Sequence, residues 1–380
     1  CALPIWNKRH NKRIKRKGRD IMKQLQLKKV MGVTMSLVLA MSLTACGTSS
    51  DNKNDTTGAS AAAQTEAVAQ TADSGAAAST ETVTLRLGHT QSTEHLLNTS
   101  AENFAALVEE RSGGAIHIDV YPSETLGTNT ELAEACSEGD VDLYISATGQ
   151  YTSRYTPFTI VEAFYMFRDL DHMMKFYDSD SHQTLVDGLA EACNVNILAD
   201  LYYGARQMTT SGKALKTADD LAGLKMRAAN EPLPIAAFTQ LGASPTPIAY
   251  NETYLALQQH TVDGQENPPA SISAMKFYEV QDYLNLTYHQ FQMLSIFMSD
   301  TAMQKLSQEQ IDIMYDCAKE VAKEHNTKAI EQEQEYIEEI GKYSEIVEPD
   351  IESFREKIAP MYDQFKDQWV DGMYEAIQAM

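Results

Sequence analysis

Few side chains in this chain are typed and placed to do chemistry, and Arg227 leads them. It stands in Leu224-Lys225-Met226-Arg227-Ala228. Asp219 and Asp220 just before suit the first turn of a short helix, and Gly223 suits the left-handed residue that ends one. A strand is expected next. Side chains alternate along a strand, so Leu224, Met226 and Ala228 share one face while Lys225 and Arg227 take the other. An arginine so placed is either a solvated edge-strand charge or a fork aimed at an anion. The guanidinium suits the second use, because its planar donors match the two oxygens of a carboxylate.

Nothing comparable supports bond breaking. There is no GxSxG, no HExxH, and no serine, lysine or cysteine constellation beside a base. Cys136, Cys193 and Cys317 show no CxxC spacing, so no metal or cofactor is expected; three buried thiols are favoured, with a single disulfide among them left open. The chain reads as a binder rather than an enzyme.

The elements that position such residues follow from periodicity. Val83–His89 alternates and reads as a first strand, followed by a helix over about residues 93–111 with Leu97, Phe104 and Val108 as its buried stripe. Ile116, Ile118 and Val120 mark a second strand, stopped by Pro122. A short helix near Asn129–Glu138 leads into a continuously apolar third strand over 141–146. This alternation predicts an open α/β sheet, whose ligands sit beyond the carboxyl ends of the strands. His89 and Thr148 stand at two such ends and are candidate ligand contacts; His89 and Glu94 are placed to reach ligand hydroxyls. Tyr151 and Phe164 are candidate cleft walls, with burial in the core as the competing reading.

Further on, a strand over 196–201 runs into 202–210, where the chain crosses to a second lobe. There 232–241 is helical, 244–249 extended and 250–260 helical. A strand over 262–267 ends at Pro268 and Pro269 and leaves Asn267 at its terminus. Residues 280–298 alternate and return through the first lobe. The longest periodic element, 307–340, opens on a Ser307/Gln310 capping box. It would be about 50 Å long at 1.5 Å per residue, which fits a spine across both lobes. A coiled-coil dimer helix competes, weakened by the lack of strict heptads.

Residues 22–45 have the anatomy of a secretory signal, with Lys23, Lys28 and Lys29 before an uncharged apolar run too short to span a bilayer comfortably. Leu43-Thr44-Ala45-Cys46 resembles the bacterial lipoprotein cleavage box, so Cys46 is expected to carry lipid. Residues 1–21 read as an upstream, non-native extension; a basic nucleic-acid-binding arm is the competing reading. Residues 1–45 hold 11 of the 31 basic residues and one of the 53 acids, so 20 basic face 52 acidic residues beyond them, a formal charge of −32. A polyanion partner such as nucleic acid is therefore not expected, and any site for a small anion has to be local. Residues 46–82 are poor in large apolar side chains and read as a disordered tether. The remainder divides into lobe I (83–204), lobe II (205–280), a return to lobe I with the spanning helix (281–345), and C-terminal helices (346–380).

In order, the chain carries Gly88-His89-Thr90, Gly113-Gly114 with Val120-Tyr121-Pro122, Leu126-Gly127, Gly139-Asp140-Val141-Asp142, Gly204 to Thr210, Asp220-Leu221-Ala222-Gly223-Leu224-Lys225-Met226-Arg227, and Gly264-Gln265-Glu266-Asn267-Pro268. This ordered set resembles the substrate-binding proteins of tripartite ATP-independent periplasmic (TRAP) transporters, the DctP family, from about residue 83 onward. The resemblance implies a two-lobed, type II periplasmic-binding-protein-like α/β fold with a long helix spanning both lobes. Such a monomer closes on a small organic acid, a dicarboxylate or sugar acid, and delivers it to membrane permease subunits. It works in the periplasm or on the outer face of the cytoplasmic membrane. The resemblance also implies that Arg227 makes the bidentate salt bridge to the ligand carboxylate, Arg206 a second ligand contact and Asn267 a hydrogen bond. Glu266 is placed to orient Arg227 or to touch ligand. For Arg206 the competing reading is a surface ion pair, and for Asn267 a turn cap. After Arg227, Ala228-Ala229-Asn230 replaces the frequent valine-proline, which leaves the pocket shape and the ligand open. A ligand-sensing receptor is a rival function for this scaffold, as is a cell-surface hydrolase, which the missing nucleophile opposes.

Overall fold

A computed structural model describes residues 82–380. The extension, the signal, Cys46 and the tether expected before that point lie outside the described residues. Among the described residues nine strands form one sheet: β1 (Val83–His89), β2 (Ile116–Tyr121), β3 (Leu143–Ser146), β4 (Val195–Thr210), β5 (Lys225–Ala228), β6 (Ser244–Pro247), β7 (Gly264–Asn267), β8 (Tyr283–Ser299) and β9 (Glu345–Val347). Their order is β2-β1-β3-β8-β4-β7-β5-β6, with β9 beside β8. β1 pairs in parallel with β2 and β3, and β5 in parallel with β6 and β7. Two parallel sets, one per lobe, are thus joined through the antiparallel pair β4 and β8, of 16 and 17 residues. Strands average about 5–6 residues, so these two are long enough to run through both lobes. Residues 204 and 205, where the sequence reading changes lobe, are neighbours in the middle of β4.

The β4–β8 ladder shifts register at 197/199, 202/204 and 206/208. Such bulges bend a strand and re-aim its side chains. At the second, Gly204 has φ 130, and a Cβ built there would lie 2.8 Å from the Cβ of Pro268. Gly204→Ala is accordingly expected to lower stability by about 2 kcal/mol, through backbone strain and this clash, read as a fall in the denaturant midpoint.

Helices pack against the sheet. α1 (Leu96–Arg111) starts three residues later than periodicity suggests, because His95 caps it: Nδ1 accepts from the Leu97 amide at 3.0 Å. α2 (Asn129–Glu138) opens on a Thr128/Glu131 capping box. They are followed by α3 (Leu170–Tyr177), α4 (Asp180–Cys193), α5 (Pro232–Gln240), α6 (Thr253–Gln258), α7 (Pro269–Ala274) and α8 (Gln308–Ile340). The Ser307/Gln310 capping box opens α8.

α8 buttresses both lobes. Near its middle the His325 ring bonds Ser100 of α1 at 2.8 Å, and Asn326 Oδ1 accepts from the Tyr202 amide at 2.6 Å. Two turns further on, Glu333 accepts from the Ala205 amide and the Tyr202 hydroxyl, both at 2.9 Å, spanning the bulge at Gly204. At its end Ile337 and Ile340 pack with Leu257, Ile272 and Phe277 of the second lobe. Tyr151 and Phe164 belong to the core: Tyr151 sits edge-on to Phe297 at 4.9 Å and Phe164 edge-on to Phe238 at 6.0 Å. Cys136, Cys193 and Cys317 are buried and free. No helix among the described residues is long and apolar enough to cross a membrane.

Candidate functional site

Thr217 and Asp220 cap the single 3-10 turn Ala218–Leu221, Gly223 ends it with φ 79, and β5 begins two residues later. The alternation holds: Met226 and Ala228 are buried on one side, while Lys225 on the other is exposed. Arg227, on the side of Lys225, is only 4% exposed. β6 and the segment after it cover it, and its Nε donates to the Ile248 carbonyl at 2.9 Å. Among the described residues, Nη1 and Nη2 have no acceptor and no carboxylate within ion-pairing distance. Burial pushes its pKa below the usual arginine value, and the charge of Glu266 offsets this only in part. A buried cation without a partner is costly, so the arrangement favours any anion that can reach it.

An anion can reach it. Arg227 lines a cavity of about 610 Å³, counting its open mouth, whose polar wall includes Gln91, Glu162, Arg206, Glu231, Glu266 and Asn267. A second opening shares Arg227, Asn129 and Tyr250 and leads out past Glu124, Gln150 and Asn230.

Arg206 is the opposite case. The bulge at 206/208 turns it toward β7, where Nε and Nη2 grip both oxygens of Glu266, the Nη2–Oε1 bond measuring 2.8 Å. Nη2 also faces the Glu266 carbonyl at 3.0 Å and Asn267 Oδ1 at 3.1 Å, and Nη1 donates to Gln292 Oε1 at 2.7 Å. Burial pushes the Glu266 carboxyl up, but Arg206, helped by His289 at 3.2 Å, pulls it further down, to about 2. Glu266 therefore holds Arg206 and does not orient Arg227, which corrects one sequence expectation. Asn267 is more than a turn cap: it accepts from Arg206, donates to Gln265 Oε1 at 2.7 Å and faces the cavity.

A carboxyl depressed from 4.5 to about 2 stabilises the fold fully above its ordinary value, and that contribution disappears as pH falls toward 2. By linkage it amounts to about 3 kcal/mol. Denaturant midpoints between pH 5 and pH 2 should fall steeply in the natural protein and less steeply in Glu266→Gln.

Three expected contacts lie elsewhere. Glu94 is exposed in the turn before α1 and is absent from the cavity wall. His89 is fully buried at the end of β1, and burial pushes its pKa down to about 4; the wall at that strand end is made by Thr90 and Gln91. Thr148 lies behind the wall, donating to Glu162 Oε1 at 3.0 Å. Glu162 itself was not foreseen. Its carboxylate accepts four hydrogen bonds, from Thr148, the Gly149 amide, Gln290 and Gln292, at 2.7–3.1 Å. The alternating Gln290 and Gln292 in β8 are the sequence sign of this face. Glu231, also unforeseen, precedes α5 and turns into the cavity, with Oε1 accepting from Gln150 at 2.6 Å. No group of three or more potential metal ligands gathers among the described residues.

The model of the DctP family, bacterial extracellular solute-binding protein family 7, matches residues 87–368. The sialic acid-binding periplasmic protein SiaP of Vibrio cholerae is 34% identical over 293 residues, covering 77% of this chain and 91% of SiaP. The C4-dicarboxylate-binding protein DctB of Bacillus subtilis is 30% identical over 275 residues, 70% of this chain and 77% of DctB. Among solved structures, a TRAP periplasmic solute binding protein from Polaromonas bound to D-erythronate superposes with a TM-score of 0.75 at 31% identity, over 78% of this chain and 99% of its own.

Proposed function

Because this chain belongs to family 7 of the bacterial extracellular solute-binding proteins, the DctP family of TRAP transporters, we propose that it captures a small organic acid on Arg227 and hands it to a membrane permease. The observation that carries this reading is the guanidinium of Arg227, nine-tenths buried on a cavity wall and without a partner for Nη1 and Nη2 among the described residues. A ligand carboxylate supplies the missing charge with two parallel N–H···O bonds. Arg206, neutralised by Glu266, sets the shape of the wall and offers its remaining N–H to ligand oxygens, and Asn267 fixes orientation. The protein performs no chemistry on its ligand. β4 and β8 are the segments about which the lobes close. In the same reading Cys46 carries lipid, residues 46–82 tether a monomeric body outside the cytoplasmic membrane, and no nucleic acid takes part.

Relatives bind sialic acid, C4-dicarboxylates and D-erythronate by name, which supports an acid as ligand. Calorimetric titration of the full chain with aldonates, uronates, sialic acid and C4-dicarboxylates is expected to find at least one that binds with micromolar or better affinity. Failure of all of them, with a hydroxylated neutral sugar binding instead, would refute the reading.

A further inference from the structure

Among the described residues the cavity wall carries one unpaired guanidinium, Arg227, and two carboxylates besides Glu266. Arg206 is already paired with Glu266, so a bound acid has Arg227 alone as counter-charge. Glu162 and Glu231 line the same cavity, 3% and 7% exposed, and neither has a lysine or arginine within ion-pairing distance among the described residues. All four acceptor positions of Glu162 are occupied, and the side-chain amides of Gln290 and Gln292 are spent on it. Glu231 is held by Gln150 through Oε1, while Oε2 lies over Gly149, where any added Cβ would overlap it.

We propose that Glu231, backed by Glu162, makes this cavity select acids with one carboxylate and a hydroxylated tail, and reject dicarboxylates. The inference rests on the Arg227 clamp. A second carboxylate placed against these two side chains would be buried beside two acid groups with no unpaired cation, a costly arrangement. A hydroxyl there can donate to Glu231 or accept from it, whichever protonation state Glu231 holds. Burial, then the neighbouring Glu162, push Glu231 up to about 8, against the pull of Arg206 and of its bond from Gln150, with Glu266 adding a further upward push. Below about pH 8 it can donate to the tail; above that it is an anion beside Glu162.

The test uses pairs that differ only in a terminal CH2OH or carboxylate: D-gluconate with D-glucarate, and D-erythronate with meso-tartrate. Calorimetry on the full chain at pH 9, where Glu231 is charged, is expected to show the monoacid at least about tenfold tighter than its diacid in each pair that binds. Glu231→Gln should reduce that ratio at least about fivefold, and Gly149→Ala, which displaces Glu231, should reduce it in the same direction. Monoacid affinity should fall between pH 7 and pH 9 in the natural protein and stay flat in Glu231→Gln. A diacid that binds as tightly as its monoacid, or a ratio unmoved by both substitutions, overturns the proposal while leaving the clamp standing if Arg227→Ala abolishes binding of both. Absence of binding by every organic acid overturns the clamp and this inference together.

Discussion

Arg227→Met is expected to lower affinity for the bound acid by about three orders of magnitude, roughly 4 kcal/mol, while the ligand-free protein unfolds at the same temperature or higher. The two halves come from one observation. In the free protein the guanidinium is buried with a single carbonyl acceptor on Nε and no acceptor on Nη1 or Nη2 among the described residues. It therefore costs stability that an apolar side chain of similar length would recover. With ligand present, the same group forms the charge-assisted pair that carries recognition, and removing it leaves a carboxylate stranded in a closed cavity. Calorimetry and thermal unfolding on one preparation read both effects. Undiminished binding, or a collapse of the fold, would show that Arg227 is a structural cation.

Arg206→Met should behave in the reverse way and lower stability by about 3–5 kcal/mol, because it leaves Glu266 buried and uncompensated. Glu266 is 2% exposed, and among the described residues its remaining side-chain partner is His289, whose pKa burial pushes down, so the imidazole is mostly neutral at pH 7. Adding Glu266→Gln to Arg206→Met should return most of the loss, and the double-mutant cycle then reports the coupling of the pair. Loss of binding in Arg206→Met alone would be ambiguous; the stability cycle is the informative readout. If the single substitution leaves the denaturant midpoint within about 0.5 kcal/mol of the natural protein, the pair is not the frame described above.

Two arginines on one cavity wall therefore carry different duties, and the sequence told them apart only in part. Alternation along β5 was enough to set Arg227 against Met226 and Ala228, because a period of two is a property of the strand itself. The partner of Arg206 was not legible, since Glu266 comes to it across the β4–β7 ladder from 60 residues away and a bulge decides its direction. The rule that ligands sit at strand ends located the right region at β1 and β3. It does not say which residue at a strand end turns outward, so His89 and Thr148 were named where Gln91 and Ser146 line the cavity. Glu162 and Glu231 were missed because a lone acid in an apolar stretch, or just before a helix, ordinarily reads as a solvated charge. Only the tertiary fold buries them. The long helix, by contrast, was legible in position and cap because its 3.6-residue period runs through 33 residues.

The most direct test of the account is a structure of the full chain with a bound hydroxylated monoacid. A carboxylate is expected with both oxygens on Nη1 and Nη2 of Arg227 at about 2.7–2.9 Å, the Arg206–Glu266 pair intact, and the hydroxylated tail against Glu231. A carboxylate seated on Arg206 with Glu266 displaced, and Arg227 left without an anion, would contradict it.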